Sequence, residues 1–120
     1  MGITTDVGNN YEAVAAEFLK KLGYKIIEKN YRVKAGEIDI IASDKKTVVF
    51  VEVKFRKNSN YGNPYEFVTI QKQQKIIKAA LLYIKQNKLK TDFRFDVVSI
   101  CDNKIEHIKN AFSALPKYFF

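Results

Sequence analysis

At 120 residues the chain fits one compact domain, residues 1–120, long enough to bury roughly two thirds of its unfolded surface without cross-links. A 47% hydrophobic share with five Gly and two Pro excludes a disordered chain, and one Cys beside one His excludes both a disulfide framework and a Cys/His zinc site. The 21 basic against 13 acidic side chains leave a net charge of +8, which favours a polyanionic partner such as nucleic acid. The longest apolar run, Ala79 to Ile84, has six residues where about 20 are needed to span a bilayer, and Met1 to Asp6 has no signal-peptide pattern. No membrane partner and a reducing, cytoplasmic location are expected.

In chain order, Asn9 or Asn10 can cap a helix from Tyr11 to Leu22 with Gly23 as its stop, and its apolar stripe is Tyr11, Val14, Ala15, Phe18, Leu19 and Leu22. Tyr24 to Val33 reads as a strand and Lys34-Ala35-Gly36 as a turn. Glu37 to Ser43 and Thr47 to Arg56 are Ile/Val/Phe-rich strands, and Lys57 to Glu66, with three Asn, a Gly and a Pro, is a loop. Thr69 opens a long helix to Asn87. Phe93 to Ile100 is a strand, Ile105 to Ile108 a short one, and the apolar tail from Ala111 to Phe120 is expected to dock on the body. The order αβββαββ predicts an α/β domain with a mixed sheet and a crossover helix.

The chemistry concentrates on two strands. Alternation places Ile38, Ile40 and Ala42 on one face of the first and Glu37, Asp39 and Ile41 on the other; Val48, Phe50, Glu52, Lys54 and Arg56 share a face of the second. A four-residue hairpin loop, Asp44 to Thr47, pairs Ser43 with Val48, and the same register sets Asp39 opposite Glu52 and Glu37 opposite Lys54. Two carboxylates about 5 Å apart repel by roughly 3 kcal/mol at an effective dielectric near 20. One account is a solvated face with ordinary cross-strand pairs. The other is a site for Mg²⁺ or Mn²⁺, which take carboxylates together with waters and substrate phosphates; Lys54 would then orient water or stabilise developing charge during phosphodiester hydrolysis.

Asp39, followed after twelve residues by Glu52-Val53-Lys54, resembles the D…(D/E)-X-K signature of the restriction-endonuclease-like PD-(D/E)XK nuclease superfamily. More of the chain resembles the YraN-like bacterial family: Glu12, Gly36-Glu37-Ile38-Asp39, Phe50 to Arg56, Tyr61-Gly62-Asn63-Pro64, Glu66, Val68, Phe95-Asp96-Val97-Val98 and Asn110-Ala111-Phe112. The resemblance implies an αβββαβ core with a mixed central sheet flanked by helices, similar to Holliday-junction resolvases. It implies Asp39 and Glu52 as metal ligands with the Val53 carbonyl as a third, Lys54 as the catalytic lysine and Glu12 as a helix-borne acid. Glu37 is expected to partner Lys54 or a metal-bound water. One departure is Ile38, where many superfamily members have Pro. Resolvase-like proteins also imply a homodimer, although no interface is legible.

The long helix carries no acid, and Gln71, Lys75, Lys78, Leu82 and Lys85 share a face, either simply solvated or a track for phosphates. Gln71, Lys72 and Gln74 can meet a phosphate together with backbone N–H groups at the helix start. Arg56, Lys57 and Tyr61, and likewise Tyr31, Arg32 and Lys34, are further candidate DNA contacts. Cys101 and His107 read as structural residues without companions. The leading expectation is a metal-dependent endonuclease acting on DNA rather than RNA. The alternatives are a non-catalytic nucleic-acid adaptor, or an interaction protein using Leu115, Tyr118, Phe119 and Phe120.

Overall fold

The computed structural model describes residues 3–56, 68–101 and 104–114, with side chains from residue 11 onward. The elements are α1 (Ile3–Lys21), β1 (Lys25–Val33), β2 (Gly36–Asp44), β3 (Thr47–Arg56), α2 (Ile70–Gln86), β4 (Phe93–Cys101) and β5 (Lys104–Phe112). The strands form one sheet in the order β1-β2-β3-β4-β5; β3 and β4 are parallel and every other pair is antiparallel. A parallel pair cannot be joined by a hairpin, so the chain crosses over between β3 and β4 through α2. The result is the mixed α/β sheet flanked by two helices expected of the αβββαβ restriction-endonuclease-like core, with β5 added at the edge.

The helices cover opposite faces. Ala15, Ala16 and Leu19 of α1 pack with Ile40, Ala42, Val49, Val51, Val98 and Ile100. Ile76, Ile77, Ala79, Ala80 and Tyr83 of α2 pack with Ile38, Ile41, Val48, Phe50, Phe95 and Val97. Thr69 caps α2 by accepting from the Lys72 amide at 3.1 Å. Gly36 fixes the approach of α2 to β2, because a Cβ there would lie 2.5 Å from the carbonyl oxygen of Lys75. Helix α1 ends as its glycine signals: Gly23 takes a left-handed φ of 95°, its N–H donates to Lys20 O, and the Tyr24 N–H donates to Leu19 O.

Three expectations are corrected. Helix α1 starts at Ile3, so Asn9 and Asn10 lie inside it; an Asn costs a helix interior well under about 1 kcal/mol, and a capping residue type does not oblige a helix to begin. Its buried face is centred on Ala15, Ala16 and Leu19, which turns Val14 and Leu22 outward. Strand β5 runs on to Phe112, whose ring stacks on Phe95 at 5.0 Å, so the start of the expected tail is a sheet edge. Residues 115–120 and the loop positions Lys57 and Tyr61 lie outside the described residues. Among those described, no helix is long and apolar enough to cross a membrane.

Candidate functional site

The β2–β3 ladder has the register expected from its hairpin loop, from Asp44–Thr47 through Ser43–Val48 to Ile40–Val51, where it stops. Asp39 is the next residue. Its Oδ2 accepts the Val53 N–H at 2.8 Å, so a side chain takes an amide just beyond the end of the ladder. Alternation also slips here: Ile38 packs on the α2 side and Ile40 on the α1 side, contrary to the expected common face. Level with Asp39 on β1, between the Lys29–Ile40 and Tyr31–Ile38 pairs, Asn30 adopts a left-handed φ of 54°, a conformation that Asn tolerates better than most residues. A single residue off the pleat turns both strands over together and puts Asp39 on the seam between the two faces.

Glu52 lies on the α2 side of β3 and is only 4% exposed. Lys72 Nζ stands 3.3 Å and Lys54 Nζ 3.7 Å from its Oε2. Burial, the Asp39 charge and a hydrogen bond between the two carboxyls push the Glu52 pKa up to about 7, against the pull of the two ammonium groups. The Glu52 charge in turn raises the Lys72 pKa. Asp39 and Glu52 line a cleft of about 390 Å³ whose walls include Arg32, Glu37, Lys72 and Lys75.

Glu12 comes from the opposite helix and is half-buried. Its pKa is raised by burial and then by the Asp39 charge, while a hydrogen bond with Asn30 opposes the shift. Asp39 therefore feels acids from both faces of the sheet. The expected Glu37–Lys54 pair is not formed: Glu37 bonds Arg32 at 3.2 Å and Lys54 bonds Glu52. The ladder ends at Ile40–Val51, so the hairpin register no longer governs those two positions. At the start of α2, the Lys72 amide donates to the Thr69 hydroxyl and the Gln73 amide to the Thr69 carbonyl, so these two N–H groups are used in capping the helix. Gln71, Gln74, Lys75 and Lys78 are exposed on α2, and Arg56 is half-buried opposite Cys101.

Two buried polar groups have roles that the sequence motifs do not assign. Asp96, fully buried on β4, is bonded by Arg94 Nε at 3.0 Å, His107 Nε2 at 2.7 Å and the Asn110 N–H at 3.0 Å. Arg94 is tied in addition to Asp44 and to the Tyr24 hydroxyl. His107 thus has companions, including the rings of Phe18 and Tyr24. The available signal was an acid inside an apolar strand, two residues after an arginine. Ser99, opposite Lys54 in the parallel ladder, is buried with no hydrogen-bond partner for its Oγ among the described residues. Nothing in an alternating strand marks such a serine.

Among the described residues, no group of three or more His, Cys, Asp or Glu gathers as a metal cage. The cleft offers two adjacent carboxylates, Asp39 and Glu52, oxygen donors of the kind Mg²⁺ or Mn²⁺ accepts when waters and phosphate oxygens complete its shell. Fold and family together are consistent with the PD-(D/E)XK-like nuclease superfamily, and resemble its nucleic-acid-binding proteins. The chain belongs to the uncharacterised protein family UPF0102, whose family model matches residues 11–100. It is 49% identical over 110 residues to a UPF0102 protein of Sulfurihydrogenibium sp., covering 91% of this chain and 96% of the relative. It is 49% identical over 107 residues to one from Thermodesulfovibrio yellowstonii (89% and 96%), and 47% identical over 115 residues to one from Clostridium botulinum (89% and 94%).

Proposed function

We propose that the protein is a Mg²⁺- or Mn²⁺-dependent endonuclease that hydrolyses phosphodiesters of DNA, with branched or damaged DNA as the favoured substrates. The observation that carries this reading is Glu52: an almost fully buried carboxylate beside a second carboxylate, with two lysines on one of its oxygens, at a cleft in a chain of net charge +8. A sheet built only for stability has no use for two adjacent acids that disfavour each other's charge, whereas a cation site does. Asp39 and Glu52 would hold the ion, with the Val53 carbonyl as a third donor. A bound ion supplies Lewis-acid polarisation of the phosphate and a nucleophile at neutral pH.

The chain's own groups do the rest. Asp39 is held in orientation by the Val53 amide. Lys54, 27% exposed and 3.7 Å from Glu52 Oε2, would orient the attacking water. Glu12 and Glu37 adjust the charge around Asp39 from either side, and Gln71, Gln74, Lys75 and Lys78 present donors to the phosphate backbone, each neutralised phosphate steepening the salt dependence by about 0.9 in log–log slope. The decisive experiment is cleavage of labelled duplex, single-stranded, flap and four-way-junction DNA in Mn²⁺, Mg²⁺ or EDTA by wild type and Asp39→Ala. Cutting that needs both the metal and Asp39 is expected; equal cutting by the variant means that the site is wrongly assigned. Metal-indifferent binding without cutting favours an adaptor that retains the nuclease fold.

A further inference from the structure

Three cations line the cleft that holds Asp39 and Glu52, and they are not equivalent. Arg32 pairs with Glu37 at the rim. Lys75 makes no ion pair among the described residues. Lys72 alone reaches inward from α2 to Glu52, with its Nζ 3.3 Å from Oε2. Its backbone is fixed three residues after the Thr69 cap, and Gly36 allows the helix to lie close enough for the reach.

The two partners differ in freedom. Glu52 is 4% exposed and committed to the cleft floor, while the Lys72 side chain is 48% exposed on a flexible stem. A divalent ion approaching Glu52 Oε2 meets an ammonium within contact distance of the same oxygen, and a phosphate brought to the ion arrives where that ammonium can be received.

We propose that Lys72 is an exchangeable counter-ion, occupying Glu52 while the cleft is empty and passing to a substrate phosphate when a divalent ion takes the carboxylate. Metal and nucleic acid then bind cooperatively, each easing entry of the other. The inference rests on the metal-dependent reading above and adds to it a specific competitor for the metal.

The test is Mn²⁺ affinity of the DNA-free protein, read from the electron paramagnetic resonance signal of unbound ion, for wild type, Lys72→Met, Lys72→Gln and Lys75→Met, with folding checked by thermal unfolding. Removing the competitor should tighten Mn²⁺ binding on the order of tenfold in both Lys72 variants, while Lys75→Met stays within about twofold of wild type. Equal tightening in Lys72 and Lys75 variants would reduce the effect to net charge and overturn the exchange. Wild-type affinity in both Lys72 variants would also overturn it while leaving the metal site standing. Absence of Mn²⁺ binding by every protein would overturn the exchange and the metal-dependent reading together.

Discussion

Asp96 and Glu52 stand on adjacent strands of one sheet, both shut away from water, yet their carboxyls shift in opposite directions. Burial pushes Asp96 up, but hydrogen bonds from His107, Arg94 and the Asn110 amide outweigh it and hold its pKa below the ordinary value. Burial also pushes Glu52 up, and there the neighbouring Asp39 adds to the shift, so the two lysines leave it near 7. The local architecture is otherwise alike. Each region has an aspartate on a strand accepting a backbone N–H of the next strand, Val53 for Asp39 and Asn110 for Asp96, beside an Asn in left-handed conformation. One region gives its buried charge every partner it needs; the other sets two acids together and opens them to a cleft. The first is a self-satisfied structural network; the second is the arrangement on which the proposed cation site rests.

Breaking the satisfied region should have the largest effect. Asp96→Asn leaves Arg94 without its principal counter-charge, and a loss of about 3–5 kcal/mol is expected in urea unfolding at neutral pH. Because the Asp96 pKa is depressed, its contribution is present above the unfolded value of 3.8 and is lost as pH falls through the lower folded value. The variant and wild type should therefore converge in acid. Glu52→Gln should do the reverse. The native state holds the Glu52 proton between pH 4.5 and about 7 while the unfolded state releases it, so wild-type stability falls across that window. The change amounts to roughly 3 kcal/mol, and Glu52→Gln should lack this slope and be the more stable protein at pH 8 even as it loses cleavage.

Smaller effects sharpen the contrast. Gly36→Ala forces a methyl against the Lys75 carbonyl and should cost about 1–3 kcal/mol; it should also weaken DNA cleavage, because α2 carries Lys72. Ser99→Ala removes a buried hydroxyl without a hydrogen-bond partner among the described residues, and unfolding should find it neutral or more stable by up to about 1 kcal/mol.

The sheet was legible in the sequence where its causes are local. The loop at Asp44 to Thr47 determines the Ser43–Val48 register, and the long α2 between β3 and β4 determines their parallel pairing. The neighbourhood of Asp39 and Glu52 followed from that register. What it could not contain was the left-handed Asn30 that turns β2 over at Asp39, since period-2 alternation carries no sign of one residue leaving the pleat. The expected Glu37–Lys54 pair failed for that reason, and Glu37 found Arg32 instead. The helix start marks Lys72 as a candidate phosphate contact; its reach to Glu52 depends in addition on how closely Gly36 lets α2 approach, a tertiary distance. The Asp96 network joins α1's end, β2, β4 and β5, segments far apart in the chain, and only an acid within an apolar strand hinted at it.

In the proposed function, Glu52 is a charge held in reserve for a divalent ion. Thermal unfolding at pH 8 with and without Mn²⁺, in wild type and Glu52→Gln, reads this role. An ion bound only by the native state should stabilise wild type by about 2.7 kcal/mol at a hundred times its Kd, bringing it toward the metal-free variant, while Glu52→Gln hardly responds. An equal Mn²⁺ shift in the two proteins, or none in either, would mean that Glu52 does not hold the ion.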